Sequence, residues 1–82
     1  MITVKYFASI RESIGQSQES LTSTATTLAD LRDELIARGG SYADSLARGN
    51  AVRMALNQTM ANETAALADG AEVAFFPPVT GG

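Results

Sequence analysis

The sequence predicts an α+β domain in which one sheet wraps around one main helix, and three observations carry that reading. Ile2, Val4 and Tyr6 alternate with Thr3, Lys5 and Phe7 at the period of a strand. Leu28, Leu31 and Leu35 recur at helical spacing, with Ile36 widening the stripe and Arg32, Asp33 and Arg38 falling elsewhere. Alternating segments return in the last third of the chain, at Val52–Met54–Leu56 and at Glu72–Phe76. A single amphipathic helix must bury its stripe, and a sheet is the natural cover.

Taken in order, the first strand starts at residue 2 with no preamble and is expected inside the sheet. Ser9 and Glu12 have capping-box spacing and Gly15 supplies a stop, so a short helix is predicted from about Ser9 to Ile14. A second strand ending at Leu21 hairpins back on the first. Residues 22–27 read as a loop that delivers Thr27 as N-cap, with Asp30 three residues on. The long helix follows and is expected to end at Gly39-Gly40, with one or two further helical turns over Tyr42–Ala47. Asn57-Gln58 marks a tight turn between two strands, and Asp69-Gly70 a second turn. In the last strand Val73 and Phe75 share one face, Ala74 and Phe76 the other, and Pro77-Pro78 ends it because proline cannot donate to the ladder. The expected division is a folded domain over 1–77 and a flexible tail over 78–82.

Composition restricts function. The chain has 82 residues, a net charge of −3, no cysteine and no histidine. No side-chain thiol is available as nucleophile or metal ligand, and the commonest general base is missing. The basic residues Lys5, Arg11, Arg32, Arg38, Arg48 and Arg53 are dispersed, so no attraction to a phosphate backbone is expected. Asp30, Asp33 and Glu34 suit the start of a helix, and no metal site is expected. No apolar run reaches the length of a membrane helix and no signal-peptide pattern opens the chain, so a cytoplasmic protein without nucleic-acid or membrane partners is expected.

The chain ends Phe75-Phe76-Pro77-Pro78-Val79-Thr80-Gly81-Gly82. Taken alone, a terminal diglycine is compatible with a frayed end or an expression remnant. Its context argues for more. Pro77-Pro78 stiffens the exit from the sheet, and four further residues reach roughly 13–14 Å when extended. Glycine also admits the backbone to channels too narrow for other residues. Phe76 is assigned to the outer sheet face, where Met60 could join it in a partner-binding patch; a strand buried on both faces is the alternative, and both stand at this point.

The segment from Asp69 to Gly82 closely resembles the C-terminus of the small subunits of molybdopterin synthase, the sulfur carriers of molybdenum cofactor biosynthesis. Phe7–Gly15 and Leu56-Asn57-Gln58 are also similar to that family, so the resemblance spans essentially the whole chain. Ala71 departs from it, standing where the family often has an acidic residue in what is expected to be a turn.

The resemblance implies a ubiquitin-like β-grasp fold with a mixed sheet. It implies that an E1-like enzyme, using ATP and magnesium, adenylates the Gly82 carboxylate, and that sulfur from a persulfide donor protein then displaces AMP to leave a thiocarboxylate. That group would donate sulfur to cyclic pyranopterin monophosphate in the large synthase subunit, within a two-plus-two complex; the chain binds no cofactor and is not catalytic alone. On this reading Gly82 is the carrier and Gly81 keeps the tip thin. Thr80, Val79 and Pro78 make channel contacts, Phe76 and Met60 form the docking patch, and Arg11 contacts the activating enzyme. A thiamine-type carrier of the same fold, a ubiquitin-like modifier and a binding module with an inert tail are the competing readings.

Overall fold

The structure is a computed structural model of the chain that describes residues 1–78. Five strands and three helices follow in the order β1 (Ile2–Tyr6), α1 (Ala8–Ile14), β2 (Gln18–Leu21), α2 (Leu28–Ile36), α3 (Gly40–Leu46), β3 (Arg53–Leu56), β4 (Thr59–Ala61) and β5 (Glu72–Phe76). The strands form one mixed sheet in the order β2-β1-β5-β3-β4. Only the β1–β5 pair is parallel, with Thr3 opposite Glu72 and Tyr6 opposite Phe75. β1 lies inside the sheet, between β2 and β5, as its sequence predicts.

The inner face follows from alternation. Ile2, Val4, Tyr6, Met54, Val73 and Phe75 are buried against Leu28, Leu31 and Leu35 of α2, with Ile10 and Leu46 closing the ends. The Tyr6 and Phe75 rings stack with centroids 6.4 Å apart. Thr27 caps α2 as expected: its Oγ1 accepts from the Asp30 N–H at 3.2 Å, while the Asp30 carboxylate accepts from Thr26 Oγ1 at 3.0 Å. Asn57 and Gln58 both take left-handed backbone, with φ of 50° and 68°, which is the geometry of a two-residue hairpin turn.

Two expectations need correction. Ser9 is not a cap: α1 begins at Ala8, Phe7 is the N-cap residue, and the Phe7 carbonyl accepts from the N–H groups of Ile10 and Arg11. The chain turns straight out of β1 into the helix, so the cap falls earlier than the side-chain signal. α2 ends at Ile36, before the glycine pair, and Gly39 and Gly40, with φ of 76° and 55°, instead make the corner into α3. Ala71 closes the turn at Asp69-Gly70 as expected, its N–H donating to the Ala68 carbonyl at 3.2 Å; it is buried, and its own carbonyl accepts from the Thr3 N–H at 3.0 Å. Arg32, which the sequence places only off the apolar stripe, is 5% exposed and forms part of the interior.

A carboxylate locks the β2 edge to the helices. Glu19 Oε2 accepts from Tyr6 Oη at 2.8 Å, Tyr42 Oη at 2.7 Å and Gln16 Nε2 at 3.0 Å, and its Oε1 accepts from Arg38 Nη1 at 2.9 Å. Arg38 also lies over the Tyr42 ring, 4.9 Å from its centroid. Burial raises the Glu19 pKa, but the hydrogen bonds from Arg38, Tyr42 and Tyr6 outweigh it and hold the group below the usual carboxylate range. A depressed folded-state pKa contributes stability that is present above the unfolded-state value and is lost as pH falls through the folded one. Glu19→Gln is therefore expected to lower stability at pH 7 by about 2–3 kcal/mol. Its deficit against the wild-type chain should shrink on acidification below pH ~4, as seen by denaturant titration across pH. A deficit independent of pH would show that charge is not the cause.

Candidate docking face and tail exit

The face of the sheet opposite α2 is not covered by any element of the described residues. The β-ladder aligns Lys5, Ala74, Ala55 and Met60 across four strands, and Phe76 stands opposite Arg53 one row nearer the exit. Small Ala55 and Ala74 at its centre leave a shallow concavity of about 520 Å³, lined by Lys5, Phe7, Ala55, Gln58, Glu72, Ala74 and Phe76.

The two patch residues read from the sequence are placed on this face, but not in contact through one row. Met60 is 57% exposed on the edge strand β4, two strands from Phe76, which is half-buried. The neighbour of Phe76 is Phe7, whose ring meets it edge-on with centroids 6.5 Å apart. Phe7 is 45% exposed and went unassigned in the sequence reading, although its alternation with Val4 and Tyr6 already put it on the outer face. Phe7 and Phe76 thus flank the concavity beside the end of β5, with Met60 exposed on the same face at the sheet edge.

Arg11 is exposed on α1, the helix that packs on β5 and α3, and does not line the concavity. A second hollow flanks Pro77, bordered by Ser9 and Ile10 of α1 and by Asn50 and Val52 ahead of β3. The chain thus leaves the sheet between α1 and the segment joining α3 to β3. Pro78 is half-buried. The sequence assignments to Val79, Thr80, Gly81 and Gly82, and the flexible tail over that stretch, lie outside the described residues. Among those residues no group of three or more acidic side chains could hold a metal ion, and no helix is long and apolar enough to cross a membrane.

A mixed sheet of this strand order grasping one main helix, with its last strand running out past an uncovered apolar face, defines a domain of the ubiquitin-like β-grasp class. The chain belongs to the ThiS family, whose pattern matches residues 4–82 and so runs through the terminal diglycine. Within that class it is 40% identical, over the full length of both chains, to the molybdopterin synthase sulfur carrier subunit of Escherichia coli K12. Among solved structures, SAMP1 of Haloferax volcanii superposes with a TM-score of 0.73 at 25% identity, covering 99% of this chain and 98% of that one. A chain in the protein–protein complex of subunits 1 and 2 of the molybdopterin-converting factor of Helicobacter pylori gives a TM-score of 0.67 at 26% identity, covering 99% and 97%.

Proposed function

We propose that this chain is the sulfur carrier subunit of a molybdopterin synthase, with the Gly82 carboxyl as the group that carries sulfur. The observation that supports this most is the full-length likeness to the Escherichia coli carrier subunit, at 40% identity without truncation at either end. The composition agrees with it. With neither cysteine nor histidine, the chain lacks the usual side chains for sulfur chemistry, and its terminal carboxylate is the remaining candidate.

A carboxylate is a poor electrophile, since its leaving group would be an oxide. In the proposed sequence an E1-like enzyme uses ATP and magnesium to join AMP to the Gly82 carboxylate, with loss of pyrophosphate. The outer sulfur of a persulfide donor protein then displaces AMP to form an acyl disulfide, and a thiol reductant cleaves its S–S bond to leave the thiocarboxylate, the thiols ending as a disulfide. The tail enters the large synthase subunit, where Pro78, Val79 and Thr80 line the approach and Gly81 keeps it narrow, and the sulfur passes to cyclic pyranopterin monophosphate. The folded body supplies binding: Phe7, Met60 and Phe76 dock on the partner while β5 aims the tail. The complex of subunits 1 and 2 seen for the Helicobacter pylori factor supports a large-subunit partner. The activating enzyme and the sulfur donor follow from the family resemblance.

Incubation of the chain with activating enzyme, ATP, magnesium, a persulfide source and a thiol reductant should replace one oxygen by sulfur at Gly82, read by intact and fragment mass spectrometry. Conjugates to lysines of other proteins in place of that exchange would favour a modifier. For the docking face, Phe76→Ser is expected to weaken binding to the large subunit by about 2 kcal/mol or more, measured by calorimetry. The variant should still fold, because Phe76 packs outside the core. Unchanged affinity would place docking elsewhere.

A further inference from the structure

The outer face carries one ion pair that docking would remove from water. Lys5 and Glu72 stand on neighbouring strands of that face, with Lys5 opposite Ala74 and Glu72 opposite Thr3. Lys5 Nζ lies 3.4 Å from Glu72 Oε1, and the two side chains are 33% and 30% exposed. Both line the concavity, among Phe7, Ala55, Ala74 and Phe76. Covered intact, the pair brings no net charge beneath a partner. Covered without its cation, the Glu72 carboxylate would be desolvated uncompensated, which costs far more than an intact pair.

Composition makes that cation unusual, because Lys5 is the single lysine of the chain. The other amine is the α-amino group of Met1, which is ion-paired with Asp69. An acyl donor reacting with side-chain amines therefore has one target, and it sits in the docking face.

We propose that Lys5 is a regulatory acetylation site that turns the docking face off. Reaction with acetyl phosphate forms the amide bond at Nζ, breaks the acyl C–O bond, and releases phosphate and a proton. The product keeps the length of the side chain, loses its charge and strands Glu72. The inference rests on the docking reading above and adds a means of regulating it.

The test treats the folded full chain with acetyl phosphate, maps the modified residue by mass spectrometry, and measures binding of the large subunit. Acetyl is expected on Lys5, and both acetylated chain and K5Q should bind about 10- to 100-fold more weakly, with unchanged thermal unfolding. K5R keeps the charge and should bind like the wild-type chain. K5Q/E72Q removes the stranded carboxylate and should recover most of the lost affinity, which a steric or folding effect at Lys5 would not allow. The proposal is overturned if K5Q binds as tightly as wild type, if K5Q/E72Q stays as weak as K5Q, or if acetyl phosphate marks Met1 and spares Lys5. Failure of the unmodified chain to bind the large subunit would sink the docking reading and this inference with it, whereas tight wild-type binding that ignores Lys5 sinks the inference alone.

Discussion

Gly82→Ala is expected to leave the folded body intact while lowering sulfur transfer by about a hundredfold or more. The reason lies in what each part of the chain does. Among the described residues every buried core residue falls between Ile2 and Phe75, and β5 ends at Phe76. One added methyl at position 82 leaves that core untouched but stands directly on the carbon next to the reacting carbonyl. It widens the tip where both partner sites would have to admit it and removes the backbone freedom that only glycine has. A displacement on the order of 1 Å at a reacting atom is enough for such a loss. The measurement pairs thermal unfolding with single-turnover sulfur transfer to the pterin precursor by the assembled synthase. Activity close to wild type would remove Gly82 from the role assigned to it, and a large drop in melting temperature would show that the end of the chain belongs to the fold.

Much of this architecture is written locally in the sequence, and the parts that are not depend on contacts far apart along it. The alternation of Ile2, Val4 and Tyr6, the Leu28–Leu31–Leu35 stripe and the Thr27 cap each report a backbone period or a hydrogen bond within a few residues, so they are legible. Phe75 and Phe76 divide between the two faces for the same reason. The start of α1 is different: Ser9 and Glu12 have the right spacing for a cap, but the corner out of β1 puts Phe7 in that position. Phe7 itself was readable as an outer-face residue; its partnership with Phe76 was not, because it needs the parallel β1–β5 register that joins the two ends of the chain. The Lys5–Glu72 pair is hidden for that reason too. The burial of Arg32 is hidden as well, since a helical wheel shows only that the residue lies off the apolar stripe and has no means of seeing three carbonyls arriving from another helix end.

Arg32→Ala is expected to cost about 3–4 kcal/mol of stability. The guanidinium donates from Nε to the Leu46 carbonyl at 2.7 Å, from Nη2 to the carbonyls of Ala47 and Asn50 at 2.8 and 3.2 Å, and from Nη1 to Glu63 Oε1 at 3.0 Å. It thereby ties α2 to the C-terminal end of α3, to the turn ahead of β3 and to the segment after β4. Truncation removes the Nε donor from the buried Leu46 carbonyl, and that penalty adds to the loss of packing, while the Ala47 carbonyl keeps the Asn50 N–H at 2.8 Å. Arg48 also pairs with Glu63, so the carboxylate keeps one cation and the damage falls on the carbonyls of α3 and its turn. Arg32→Lys should recover little, because an ammonium cannot reproduce a planar fork that reaches three carbonyls. For a domain of this size the melting temperature should fall by about 15 °C or more, with hydrogen exchange rising first over residues 40–52. That stretch contributes Ser45, Asn50 and Val52 to the hollow beside Pro77, so a loosened α3 would also blur the direction in which the tail is presented. A loss below about 1 kcal/mol would show that water replaces the arginine at those carbonyls and that the helix end is held by packing alone.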